Sequence, residues 1–95
     1  MIKSVVLKLQ PVSNNIVKVF SNGEVAGYVV LPENEHQNQR PFATTHNGKD
    51  IGYAHCEICV IETLIRRFER IAPDVALQLI PDPAQTVSIN VLSIH

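Results

Sequence analysis

Residues 55–72, HCEICVIETLIRRFERIA, decide the fold, because apolar side chains here stop alternating and recur at three- and four-residue steps. Such steps predict one face of an amphipathic helix. The apolar positions of the face are Ile58, Ile61, Leu64, Ile65, Phe68, Ile71 and Ala72. Glu57 near the start, and arginines near the end, suit the helix dipole. Pro73 predicts where the helix ends.

Two Asn-Gly pairs interrupt the chain before this helix. Asn22-Gly23 separates the apolar runs 16–21 and 24–31, and it is a strong hairpin signal because a type I′ turn needs positive φ at both positions. Asn47-Gly48 separates residues 42–46 from 49–53 and predicts a second hairpin. Further strands are predicted at 2–10, 75–80 and 86–94, and the polar stretch 32–41 is predicted to be a loop.

The order of these elements is strand, hairpin, hairpin, helix and two strands. Short turns between strands favour antiparallel pairing. We therefore predict an α+β fold, in which an antiparallel sheet of about five to seven strands carries one helix, about 55–72, on one face. With 95 residues and 10.6 kDa the chain is predicted to form a single domain, residues 1–95.

Charged residues make up 18% of the chain, against about 25% in a typical domain. A strand-rich chain with few charges often covers apolar surface with a second copy of itself, so we predict a homo-oligomer. The last strand, residues 86–94, is the predicted edge strand for pairing with a protein partner.

The net charge of −1 disfavours a general role in nucleic-acid binding. No run of apolar residues approaches the length of a membrane span, and the N-terminus lacks the apolar segment of a secretion signal. We therefore predict a cytoplasmic protein with reduced cysteines and no membrane contact.

Cys56-Glu57-Ile58-Cys59 is a C-x-x-C motif at the start of the predicted helix. A helix N-terminus stabilises a thiolate, so Cys56 and Cys59 are redox candidates. The order of motif, amphipathic helix, turn and strand over residues 56–80 is similar to thioredoxin-like proteins, and the resemblance covers about a quarter of the chain. The polar segment 44–53 departs from that pattern, which has a buried parallel strand there. Buried, unreactive thiols are the alternative.

A metal site is the second interpretation of the same motif. His55, Cys56 and Cys59 offer nitrogen and sulfur ligands, with His46 or His36 as a fourth. Zinc favours four such ligands in a tetrahedron. A single C-x-x-C supplies half of the usual zinc signature.

Arg66, Arg67 and Arg70 share one arc of the predicted helix. This arc is a candidate docking surface for phosphate or for an acidic partner, and a solvated helix face is the alternative.

The sequence contains no glycine-rich phosphate loop, nucleophile elbow or H-E-x-x-H motif, so no catalytic residue is predicted. We predict a non-catalytic protein-interaction or regulatory module that self-associates and needs no cofactor. The alternatives are a thiol redox or zinc-binding protein using Cys56 and Cys59, and a nucleic-acid-binding accessory protein using the arginine face.

Overall fold

The computed structural model describes residues 1–31 and 40–83. The elements in chain order are β1 (Ile2–Pro11), β2 (Ile16–Ser21), β3 (Glu24–Val30), β4 (Phe42–Thr45), β5 (Asp50–Tyr53), α1 (Glu57–Glu69) and β6 (Ala76–Pro81). The strands lie where the sequence predicts them, and the helix is shorter at both ends than the predicted 55–72. The predicted edge strand at residues 86–94 falls outside the described residues.

The six strands form one sheet in the order β5-β4-β3-β2-β1-β6. The prediction of antiparallel pairing is confirmed from β1 through β5. It is wrong for β1 and β6, which are parallel. Four antiparallel pairings separate β5 from β1, so those two strands run in the same direction. Helix α1 then carries the chain back before β6 begins, and a strand that follows such a crossover runs parallel to the strand that preceded it.

The two Asn-Gly hairpins form with different turns. Asn22 and Gly23 have φ angles of 51° and 86°, as a type I′ turn requires. At the second hairpin Gly48 has a φ of 87°, whereas Asn47 is not among the residues with positive φ. Here the Gly48 N–H donates to the Thr45 carbonyl at 3.0 Å, and the Thr45 N–H donates to Lys49 at 2.8 Å. The connection is therefore a three-residue loop that ends on a left-handed glycine.

Helix α1 buries one face against the sheet. The predicted core positions Ile61, Leu64 and Ile65 are buried, and Val60 joins them. Phe68 and Ile71 lie half-buried at the margin. The sheet contributes Val5, Leu7, Leu9, Val17, Val19, Val29 and Ala43 to the same core. Within the described residues no helix has the length and apolar character needed to cross a membrane.

Gly27 lets the helix and the neighbouring strand lie close to β3. A Cβ atom at this position would overlap the carbonyl oxygen of Thr44 and lie 3.0 Å from Leu64 Cδ1. The missing side chain therefore sets the distance at which β4 and α1 pack around the middle of β3.

Candidate functional site

The helix begins at Cys56, whose sulfur caps the first turn. Cys56 is extended, with φ −152° and ψ 166°, and its Sγ accepts the N–H of Cys59 at 3.3 Å. Ser, Thr, Asp and Asn usually perform this task, so the sequence offered no obvious cap. The three-residue step from the N-cap to the capped N–H is also the spacing of C-x-x-C. Capping therefore brings the two cysteines together.

Three ligand atoms meet at this helix start. Cys56 Sγ and Cys59 Sγ are 3.0 Å apart, and Cys59 Sγ is 3.3 Å from His55 Nε2. One ligand atom from each of the three residues lies within 4.8 Å of the others. His55 is exposed and both cysteines are half-buried free thiols. The structure thus brings together the predicted set of His55, Cys56 and Cys59, which we call the thiol–imidazole cluster.

Of the two histidines predicted as a fourth ligand, His46 is not part of this cluster. His46 lies edge-on to Phe68, with ring centroids 5.9 Å apart, towards the other end of α1. His36 falls outside the described residues. Within residues 1–31 and 40–83, the cluster therefore offers three ligands and leaves one tetrahedral position for another donor.

The electrostatic setting of Cys59 differs from that of an activated thiol. The resemblance to thioredoxin-like proteins implies a lowered pKa, but the pKa of Cys59 is raised. The hydrogen bond with the Cys56 thiol is the largest cause, followed by partial burial. Negative charge on Cys56 and Glu62 adds to the effect, because a second anion beside them is disfavoured. At neutral pH, Cys59 is therefore a protonated thiol in the metal-free protein.

The predicted arginine arc is divided in the folded chain. Arg66 Nη1 donates to the Ala72 carbonyl at 2.9 Å, so it holds the chain that leaves the helix. Arg67 and Arg70 instead line a half-open groove of about 240 Å³, together with His46 and Lys49 from the β4–β5 turn. We call this feature the cationic groove. Sequence reasoning missed Lys49 because it lies about twenty residues before the arginines and becomes their neighbour only through packing.

No protein-family model, curated protein or solved structure matches this chain. Its function must therefore be inferred from the two groups of side chains at the ends of α1. Two thiols and an imidazole can hold a borderline-soft metal ion, and the two thiols can also form a disulfide. The cationic groove offers positive charge to an anion.

Proposed function

We propose that this protein is a small zinc-binding domain in which His55, Cys56 and Cys59 hold the metal. The observation that carries the proposal is the approach of their three ligand atoms to within 4.8 Å of one another. Thiolate and imidazole are the ligands that zinc favours in proteins. Among the described residues, no other group of three metal-ligating side chains converges in this way.

The cluster needs little rearrangement to accept the ion. In a tetrahedral site with Zn–S bonds of about 2.3 Å, two sulfur atoms lie about 3.8 Å apart. The Sγ atoms of Cys56 and Cys59 are 3.0 Å apart, so they must separate by about 0.8 Å. The hydrogen bond from the Cys59 N–H already orients the sulfur of Cys56.

A role in molecular interaction follows from the open fourth position. Three ligands from one chain leave a place for water or for a donor from another molecule. The exposed His55 side chain leaves this place accessible. We propose that a second copy supplies the donor, so that zinc links two chains into the predicted homo-oligomer.

The strand beside the cluster supports an interface at this place. β5 is an edge of the sheet formed by the described residues, and it leads through Ala54 directly to His55. Tyr53 at its end is 71% exposed, although its ring also packs against the Phe42 ring, with the two ring centroids 4.9 Å apart. An edge strand with an exposed aromatic side chain is suited to pairing with another chain. These features support β5 as the partner-binding edge of our proposal, whereas the sequence alone suggested residues 86–94.

Zinc titration of the metal-free full chain tests the proposal. We expect zinc at a hundredfold excess over its dissociation constant to raise the free energy of unfolding by about 2.7 kcal/mol. Cobalt in place of zinc should give the visible absorption of a tetrahedral thiolate site. Cys59→Ser and His55→Ala should each weaken binding. Thr63→Ala, which removes a hydrogen bond to the Cys59 carbonyl but no ligand atom, should not. Equal zinc affinity in all of these variants would overturn the proposal.

The molecular mass of the protein in solution separately tests the proposal that zinc links two chains. Light scattering should give a dimer with zinc and a monomer in a chelator. A monomer that binds zinc would retain the metal site and refute its role in assembly. A dimer that persists in the chelator would place the interface elsewhere.

A dithiol–disulfide couple is the second candidate, favoured by the 3.0 Å separation of the two sulfurs. A disulfide has an S–S distance of about 2.05 Å, so the sulfurs must approach by about 1 Å. Its formation joins the two sulfurs and passes two electrons and two protons to a disulfide such as oxidised glutathione, whose S–S bond breaks to give two glutathione thiols. The raised pKa of Cys59 disfavours that residue as the attacking thiolate. Equilibration with glutathione buffers, read by mass spectrometry, measures whether the bond forms at a cellular potential.

A further inference from the structure

The cationic groove lies at the opposite end of α1 from the thiol–imidazole cluster. Arg67 lies eight positions after Cys59, which is about 12 Å along a helix axis. The wall opposite the helix is the β4–β5 turn, which contributes His46 and Lys49. The groove therefore exists independently of any metal at the helix start.

The charge in the groove is uncompensated within the described part of the chain. Lys49, Arg67 and Arg70 line it, and no acidic side chain does. None of these three cations forms an ion pair with a described residue. Glu69 is next to Arg70 in sequence, but its carboxylate accepts a hydrogen bond from Ser21 and does not line the groove. Three cations that converge without a carboxylate attract an anion.

The backbone of Arg70 adds a second, independent observation. Arg70 follows the helix in the left-handed region, with φ 55° and ψ 48°, and its N–H bonds the carbonyls of Arg66 and Arg67. Glycine is the residue most often found at this position, because a side chain is strained there. Arg70 accepts this strain at a position that lines the groove, which supports a role for its side chain in binding.

The size and walls of the groove indicate the kind of anion. A volume of about 240 Å³ is below the range of about 300–1,000 Å³ for drug-sized ligands. The planar guanidinium groups of Arg67 and Arg70 suit the paired oxygens of a phosphate. The rings of His46 and Phe68, in edge contact at nearly right angles, provide an aromatic wall for the rest of a small molecule.

We propose that the cationic groove binds the phosphate group of a small phosphorylated molecule, with Lys49, Arg67 and Arg70 contacting its oxygens. The positive ends of these side chains neutralise the dianion, and the wall formed by His46 and Phe68 contacts the group that the phosphate carries. This site adds a ligand to the proposed zinc-binding domain and does not depend on the metal.

Binding of inorganic phosphate and of phenyl phosphate, measured by calorimetry on the metal-free full chain, tests this proposal. Both should bind, and phenyl phosphate should bind more tightly because its ring reaches the wall. Chloride at the same ionic strength should not compete. Failure of both phosphates to bind, or equal competition by chloride, would overturn the proposal.

Arg70→Gly distinguishes an effect on phosphate binding from an effect on folding. Glycine removes the cation and relieves the left-handed strain, so the variant should unfold at a higher temperature while its phosphate affinity falls by about tenfold. Lys49→Ala should also weaken binding by about tenfold. Lys18→Ala removes a cation that lies against the Phe20 ring, away from the groove, and serves as the matched control with unchanged affinity. Unchanged phosphate affinity in Arg70→Gly would refute the site.

A single-stranded oligonucleotide provides the remaining comparison. We expect it to bind weakly and to be displaced by phenyl phosphate. Tight oligonucleotide binding that falls steeply with salt, and that neither phosphate displaces, would assign the arginines to nucleic acid and overturn the small-molecule site.

Discussion

Ser21 Oγ donates a hydrogen bond to Glu69 Oε2 at 2.5 Å, which joins the last residue of β2 to the last residue of α1. Ser21 is completely buried. The bond fixes the C-terminal end of the helix against the sheet, and with it the position of Arg67 and Arg70 beside the β4–β5 turn. This single hydrogen bond between β2 and α1 therefore supports the geometry of the cationic groove.

Ser21→Ala should lower the free energy of unfolding by about 1–3 kcal/mol, because it removes a hydrogen bond to a carboxylate that remains half-buried. Urea denaturation measures the change. Ser4→Ala is the control, since Ser4 is exposed and bonds Gln78 at 3.2 Å. It should change stability by less than about 0.5 kcal/mol. Equal stability of the two variants would show that the buried bond contributes nothing.

Gly27→Ala should destabilise the fold by about 1–3 kcal/mol, because the new methyl group overlaps the Thr44 carbonyl oxygen. The clashing atom belongs to the backbone, which cannot relieve the overlap by a change of rotamer as a side chain can. The double variant Gly27→Ala with Leu64→Ala should therefore be less stable than either single variant. Recovery of stability in the double variant would place the clash on the helix rather than on β4.

Substitutions at Cys56 distinguish its role as the helix cap from its proposed role as a metal ligand. In a chelator, Cys56→Ser should keep the cap and unfold within about 0.5 kcal/mol of the natural chain, whereas Cys56→Ala should lose about 0.5–2 kcal/mol. With zinc, only the natural chain should gain stability. Thermal melts in both buffers make this comparison. If zinc stabilised the Cys56→Ser variant as much as it stabilises the natural protein, the sulfur of Cys56 would not be a ligand.

The raised pKa of Cys59 predicts how the metal-free protein reacts with an alkylating agent. Since the folded state holds this proton more tightly than the unfolded chain, little thiolate is present at neutral pH. Alkylation of Cys59 should be slower than that of an unfolded peptide and should accelerate as the pH rises through the raised pKa. The same proton contributes stability that is complete below the unfolded pKa and is lost over that alkaline range.

Cys56→Ala provides the control for this pH dependence. The hydrogen bond with Cys56 is the largest cause of the raised pKa, so its removal should shift the alkylation profile of Cys59 to lower pH. Site-resolved rates come from mass spectrometry of peptides at a series of pH values. A profile that does not move would mean that the thiol–thiol bond has no effect on the proton.

Local chemistry made several features predictable from the sequence. The apolar spacing around Ile61, Leu64 and Ile65 follows the helical repeat. It therefore predicted the helix and most of its buried face. The Asn22-Gly23 turn depends on two adjacent backbone angles, so the dipeptide alone predicted it. The thiol–imidazole cluster was predictable because His55, Cys56 and Cys59 lie within one turn of chain.

The sequence by itself thus determined whatever depends on neighbours a few residues apart, namely the elements, the hairpins and the three candidate ligands. Tertiary structure alone decided the parallel position of β6 beside β1, because the strand that the chain joins after a helix depends on where that helix crosses the sheet. It also decided that Arg66 holds the helix end while Arg67 and Arg70 face Lys49. Contacts between residues far apart in the chain depend on packing of the whole core, and no local pattern of side chains encodes that packing.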